Sequence, residues 1–472
     1  MLNQFFFNET IKNLEYEPTE DQKAALSAFT DFFFSTEHRV FILNGYAGTG
    51  KTTVIKSITK TLLNVKYPFV LLAPTGRAAK VLSNYCQQNA YTIHKHIYRQ
   101  KSEDEFRFVL NYNSLKQGIF FIDEASLLSN EGNDNNIFGS GRLLDDLLEF
   151  VFQHPNNKLV IIGDAAQLPP VGSNFHPALN TKEFNERDFN NIFSEMKEVV
   201  RQQEDSTIYK NATLLRKNIE QQLPQLPIFN SNKNDFEFIS SSDSLEYIGS
   251  SYSKVGLDET VVLCYSNKRA LQINKAIRNR IFFYENELVN GELLMVVKNN
   301  YMSLPNDVPF NFIANGEMIH IRKLLKTEEL YGFRFKRVYA ELSSAPGIEL
   351  PCLLLEETLF SEQASLSRDR QEELYRQVAM DFEDIKSKKK RMTMIRENPY
   401  FNALQIKYAY AITAHKSQGG QWKHVYIDLS FLNYTDLELE QLKWIYTAIT
   451  RATEKVFIID MPEKFAPHIK NS

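Results

Sequence analysis

Short apolar runs alternate along the chain with longer stretches of helical periodicity. RVFILN (39–44), PFVLLA (68–73), GIFFID (118–123) and KLVIIGD (158–164) are each too short for a helix and too continuously apolar for a half-exposed strand. They predict strands buried on both faces, and the helical patterns between most of them predict a doubly wound α/β domain with a parallel sheet. A second series, TVVLCYS (260–266), KHVYIDL (423–429) and KVFIID (455–460), predicts another α/β domain. Residues 317–400 interrupt it: alternating apolar patches give way to the charged, helix-like run SRDRQEELYRQVAMDFEDIKSKKKRM. That region reads as an inserted subdomain with a small β part and a helical part. A smaller insertion near 96–114, containing YRQKSEDEFRFVLNYNS, has the pattern of a hairpin.

Length and composition narrow the setting. At 472 residues the chain exceeds one ordinary core, so two or three domains are expected. No apolar stretch approaches the roughly 18 residues that spanning a bilayer requires. The N-terminal FFF run lacks the basic flank of a signal peptide, so a cytoplasmic protein without a membrane partner is expected. Cys86, Cys264 and Cys352 lie far apart and read as reduced thiols. A net charge of −4 gives no global attraction for nucleic acid, so such a partner would need a locally basic channel. KSKKKR (386–391) follows Glu383 and Asp384 and reads as a solvated helix face.

Chemistry enters at ILNGYAGTGKTTVIKSI (42–58), where a strand meets a glycine-rich loop and then a helical pattern. Gly45, Gly50, Lys51 and Thr52 fit the phosphate-loop spacing, with Tyr46, Ala47, Gly48, Thr49 and Thr53 completing the cradle. Glycines let successive N–H groups point inward at phosphate oxygens, and the following helix adds partial positive charge. Lys51 is expected to reach the β and γ phosphates, and the Thr52 hydroxyl to ligate Mg²⁺. IFFIDEAS then supplies Asp123, expected to hold the metal through water, and Glu124, expected to polarise an attacking water.

With those residues in place, the chain resembles superfamily 1 helicases of the 5′-to-3′ class, RecD-like and Dda-like, with a UvrD-like C-terminal motor domain. PTEDQKAAL presents Gln22 where the family contacts adenine, and GDAAQLPPVG (163–172) presents Gln167 where it senses the γ-phosphate. VVRQ (199–202) offers Arg201 as a transition-state arginine, and YTAITRATEKVFI (446–458) offers Arg451. LLAPTGRAAKVL (71–82), TIHK (92–95) and YAITAHKSQGGQW (410–422) resemble strand-contacting motifs, with Pro74, Thr75, His94, Thr413, His415 and Lys416 as the candidate nucleic-acid contacts. Such small and basic residues after strand ends suit phosphate and sugar contacts that hold a strand without reading its sequence.

The resemblance implies two RecA-like parallel-sheet motor domains. The first covers 1–205 with the hairpin insertion at about 96–114, and the second covers 206–316 and 401–472. The insert at 317–400 is a small β-barrel and helical subdomain. It implies ATP and Mg²⁺ as cofactors and a monomeric enzyme acting on single-stranded DNA and duplex junctions in replication, recombination or repair, with recombination or repair proteins as further partners. Tyr98, Phe106 and Phe108 are candidate wedge aromatics on the hairpin. Alternatives are the motor subunit of a nuclease complex that unwinds poorly alone, a P-loop small-molecule kinase, and a DNA-binding protein with a relic nucleotide site. The ordered motifs from residue 18 to 460 weigh against the last two.

Overall fold

The computed structural model describes residues 2–100, 108–132, 138–200, 206–300 and 313–465. Its first strands are β1 (Val40–Gly45), β2 (Phe69–Ala73) and β3 (Ala90–Thr92). A short antiparallel pair follows, β4 (Tyr98–Gln100) with β5 (Phe108–Leu110), and then β6 (Ile119–Ile122), β7 (Lys158–Gly163) and β8 (Asn191–Met196). Apart from that pair, these strands form one sheet in the order β3-β2-β6-β7-β1-β8, parallel throughout. Helices on both faces bury the sheet, which is why every position of β1 and of β7 is buried and both read as unbroken apolar runs. One face is closed by aromatic packing: Phe29 meets Phe41 edge-on at 5.7 Å, and Phe6 from the N-terminal FFF run stacks on Phe33 at 4.5 Å.

The second half opens with β9 (Phe236–Ile239) and β10 (Thr260–Cys264). Next come β11 (Leu293–Val296), β12 (Met318–Leu330), β13 (Phe333–Leu342), β14 (Glu349–Leu355) and β15 (Leu404–Tyr408), which close into a barrel. The chain then returns to the sheet with β16 (Ala411–Thr413), β17 (Trp422–Asp428) and β18 (Ala452–Ile459), in the parallel order β16-β10-β17-β18-β9. Two helices between β14 and β15, Arg368–Met380 and Lys388–Glu397, pack Leu374, Val378 and Ile395 onto Phe333 and Phe335 of the barrel.

The barrel is wider than the sequence pattern indicates. β11 and β15 lie outside 317–400, in segments assigned from pattern to the second motor domain. A buried run such as Leu293–Val296 does not encode which sheet it joins. Pairing β11 with β12 and β15 closes the barrel and removes two exposed strand edges. The two halves are not separate bodies, since one apolar cluster joins Tyr46, Ala166 and Leu168 from the first to Val262, Tyr446 and Ile449 from the second. Among the described residues, no helix is long and apolar enough to cross a membrane.

Candidate functional site

Three loops that carry chemistry leave the C-terminal ends of β1, β7 and β6, which are neighbours in that order. A doubly wound sheet opens its ligand crevice at those ends. The first loop passes through left-handed backbone at Gly48 (φ 79°) and Gly50 (φ 82°), then runs straight into the helix Lys51–Asn64. The Thr49 hydroxyl donates to the Tyr46 carbonyl at 2.8 Å and tightens the turn. The Lys51 ammonium lies over the loop, donating to the carbonyls of Gly45 at 2.6 Å and Tyr46 at 3.1 Å. Thr52 and Thr53 follow in the first helical turn.

Gln22 braces this loop. It caps the helix Glu20–Phe34 reciprocally with Thr19, and its amide nitrogen donates to the Thr49 carbonyl at 3.0 Å. Each end of its amide has one protein partner, which leaves one N–H and one lone pair for a base.

At the end of β6, the Asp123 carboxylate accepts the Glu124 N–H at 2.9 Å. Burial, and next the charge of Glu124, push the Asp123 carboxyl above the usual carboxylate range, while Lys51 pulls it down. Glu124 occupies left-handed backbone (φ 54°), a conformation uncommon for a residue with a side chain and often found where a site stores strain. Gln167, in the loop after β7, is buried, and its side-chain oxygen has no hydrogen-bond partner among the described residues. An orphan acceptor of this kind is costly, and a water molecule would satisfy it.

The two candidate arginines fare differently. Arg201 lies outside the described residues, but Val200 immediately before it donates its N–H to the Gly48 carbonyl at 3.0 Å, on the phosphate loop. Arg451 is hydrogen-bonded within the second half. Its buried guanidinium donates to the Thr447 carbonyl at 3.2 Å, the Gly420 carbonyl at 3.3 Å and the Thr450 hydroxyl at 3.3 Å, all in the second half. The reason is local: carbonyls at a helix C-terminus lack intrahelical partners, and an arginine just past Leu439–Ile449 satisfies one.

Other side chains cross the seam instead. The Tyr446 hydroxyl accepts the Ala47 N–H at 2.9 Å and donates to Asp164 at 2.8 Å. Leu168 is held on both sides, its N–H by the Thr447 hydroxyl at 2.9 Å and its carbonyl by the Gln418 amide at 3.0 Å. The Arg216 guanidinium sits 4.5 Å from the centre of the Tyr46 ring. Tyr446 and Arg216 carry no sequence signal of their own beyond, for Tyr446, its place at the start of a motif.

A cavity of about 260 Å³ gathers Pro74, Thr75 and His94 from the first half with His415 and Lys416 from the second. Asn299 and Asn315 of the barrel region line it as well. Thr413 stands apart from it, at the head of the short helix Ala414–Ser417, beside a smaller recess shared with Lys416. Burial lowers His94 to about 4, so its ring is neutral at physiological pH, and lowers His415 in the same direction. Lys416, lowered by burial to about 8, donates to the Asn315 side chain at 2.7 Å. Arg77 stacks over Trp422 at 3.8 Å and remains cationic although burial lowers it to about 10.

Two of the three candidate wedge aromatics are packed against their own half of the chain. Tyr98 is buried with its hydroxyl on Asp146 at 2.5 Å, and Phe108 stacks on Phe138 at 4.7 Å. Both rings are packed within their own sheet unit, where burying an aromatic surface is worth more than exposing it. Phe106 lies outside the described residues.

A phosphate loop, an acidic pair and a buried glutamine on adjacent parallel strands, with a second parallel sheet across the seam, define a two-sheet P-loop protein. Residues 17–226 match the family model described as an AAA domain, and residues 408–459 match the UvrD-like helicase C-terminal domain. The two matches fall in chain order, and they make this chain similar to superfamily 1 helicases. The ATP-dependent DNA helicase dda of Enterobacteria phage T4 is 24% identical over 93% of this chain and 99% of its own length. An uncharacterised protein of Acanthamoeba polyphaga mimivirus is 23% identical, with the same two coverages of 93% and 99%. Among solved structures, that of two coordinating Pif1 helicases at forked double-stranded DNA aligns with 96% of this chain and 94% of its own, at a TM-score of 0.48 and 16% identity.

Proposed function

We propose that the chain is an ATP-dependent DNA helicase that moves 5′ to 3′ along single-stranded DNA and opens duplex junctions during replication, recombination or repair. One observation carries this reading: five of the six residues expected to touch a strand come from two different sheets and line a single cavity. A strand held there contacts both halves, so a change in their relative position moves one grip against the other.

The nucleotide sits in the loop Gly45 to Thr53, with Lys51 against the β and γ phosphates. Thr52, and Asp123 through water, would hold Mg²⁺, whose preference for oxygen ligands they meet. When bound, Mg²⁺ neutralises charge that develops on the phosphates. Glu124 polarises the attacking water, and the free side-chain oxygen of Gln167 is an acceptor that orients it. Arg201 supplies positive charge to the transition state; the bond from Val200 to Gly48 supports that placement. Arg451 would join it only by exchanging three long bonds for phosphate oxygens, which requires a shift at the seam.

The test is strand displacement from duplexes with a single 5′ or a single 3′ tail. Displacement from the 5′-tailed duplex alone is expected. Displacement from the 3′-tailed duplex alone would reverse the direction. ATP turnover stimulated by single strands without displacement from either would favour a translocase or nuclease-motor role.

A further inference from the structure

We propose that Tyr446 is a positioning residue that couples the phosphate loop to the second sheet, so that its hydroxyl links strand engagement to nucleotide turnover. The inference rests on the helicase reading above and names a residue that reading does not use.

Tyr446 projects from the helix Leu439–Ile449 and is 1% exposed. Its hydroxyl has two partners, both in the first half of the chain. It accepts the N–H of Ala47, within the phosphate loop, and donates to Asp164, which opens the loop bearing Gln167. The other Asp164 oxygen takes the Ala166 N–H at 2.9 Å. One oxygen atom therefore ties the second half to the loop that cradles phosphate and to the loop that faces the water. Burial, and then Asp164, push the phenol well above its ordinary range, so it stays protonated and both bonds persist at working pH.

Backbone N–H groups of a phosphate loop are the donors that phosphate oxygens use. An N–H in that loop whose direction is fixed by a side chain from the other half responds to that half's position. Thr447 and Gln418 also cross the seam, but both bond to Leu168. Among the described residues, Tyr446 is the side chain of its helix that hydrogen-bonds to the phosphate loop. A buried tyrosine could instead be a simple plug whose hydroxyl needs partners. A plug matters equally with and without DNA, whereas a coupler matters when a strand is held.

Tyr446→Phe keeps the ring and deletes the hydroxyl. In the full chain, steady-state ATP turnover is measured with and without oligo(dT), alongside thermal unfolding. The stimulation ratio is expected to fall about tenfold, equivalent to about 1.4 kcal/mol, with KM for ATP and the melting temperature little changed. The double variant Tyr446→Phe/Asp164→Asn should show a ratio no lower than that of Tyr446→Phe, because Tyr446→Phe already removes the bond to residue 164 that Asp164→Asn weakens. An unchanged ratio, or equal losses with and without oligo(dT), overturns the proposal. A wild-type chain whose turnover ignores oligo(dT) overturns the helicase reading and this inference with it.

Discussion

Asp123 and Glu124 are adjacent carboxylates, yet the backbone separates their tasks. Asp123 continues β6 inward and is desolvated; Glu124 turns through left-handed space, and its N–H caps its neighbour. Glu124→Gln preserves shape and hydrogen-bonding reach while removing the base. Phosphate release is expected to fall by about 10²–10⁴-fold, the usual contribution of a positioned general base, with equilibrium binding of a fluorescent ATP analogue retained. Near-normal turnover would move water activation to another group. Lys416 gives a pH signature. A lysine lowered to about 8 is charged below that pH and neutral above it, so its attraction for phosphate is lost as pH rises through 8. Single-strand affinity of the wild type should weaken between pH 7 and 9, whereas Lys416→Arg should hold constant; parallel weakening of both would exclude Lys416 as the titrating contact.

At the level of elements, the barrel is joined to its motor sheet by a buried ion pair. Arg278, on the helix Asn267–Arg280, meets Glu292 just before β11 at 2.9 Å, and the Tyr410 hydroxyl donates to the same carboxylate at 2.7 Å. Glu292 is fully buried, so removing its cation strands a charge in the interior. Arg278→Met is expected to destabilise the protein by about 3–5 kcal/mol, read as a lower denaturant midpoint; a change within the error of the wild type would show that the pair does not hold this junction. This junction also marks where sequence patterning reached its limit. Seven parallel strands were legible because burial on both faces demands continuous apolar runs, whereas β3, β8, β9 and β16, short or partly exposed, were not. The same property made β11 and β15 indistinguishable from sheet strands, since burial is recorded in the sequence and the pairing partner is not.

For the molecule as a whole, the candidate site divides along a similar line. The phosphate loop was readable because its glycines answer a backbone requirement: Gly50 at φ 82° cannot carry a side chain cheaply, and a Cβ there would lie 2.4 Å from Gln22. The acidic pair was read from a strand ending in carboxylates and Gln167 from the family resemblance, and both lie in loops at neighbouring strand ends. The bonds that Gln22, Arg451 and Tyr98 make were not readable, because long side chains choose among partners that other segments supply. Gln22 took a cap and a loop carbonyl, Arg451 took helix-end carbonyls, and Tyr98 took Asp146. By itself, then, the sequence determined two parallel sheets and a phosphate-binding turn, since burial and backbone strain act residue by residue. Only the tertiary structure decided what spans the seam. Ala47 and Tyr446 are 399 positions apart, and no local pattern in the chain could announce that this hydroxyl would reach across the seam.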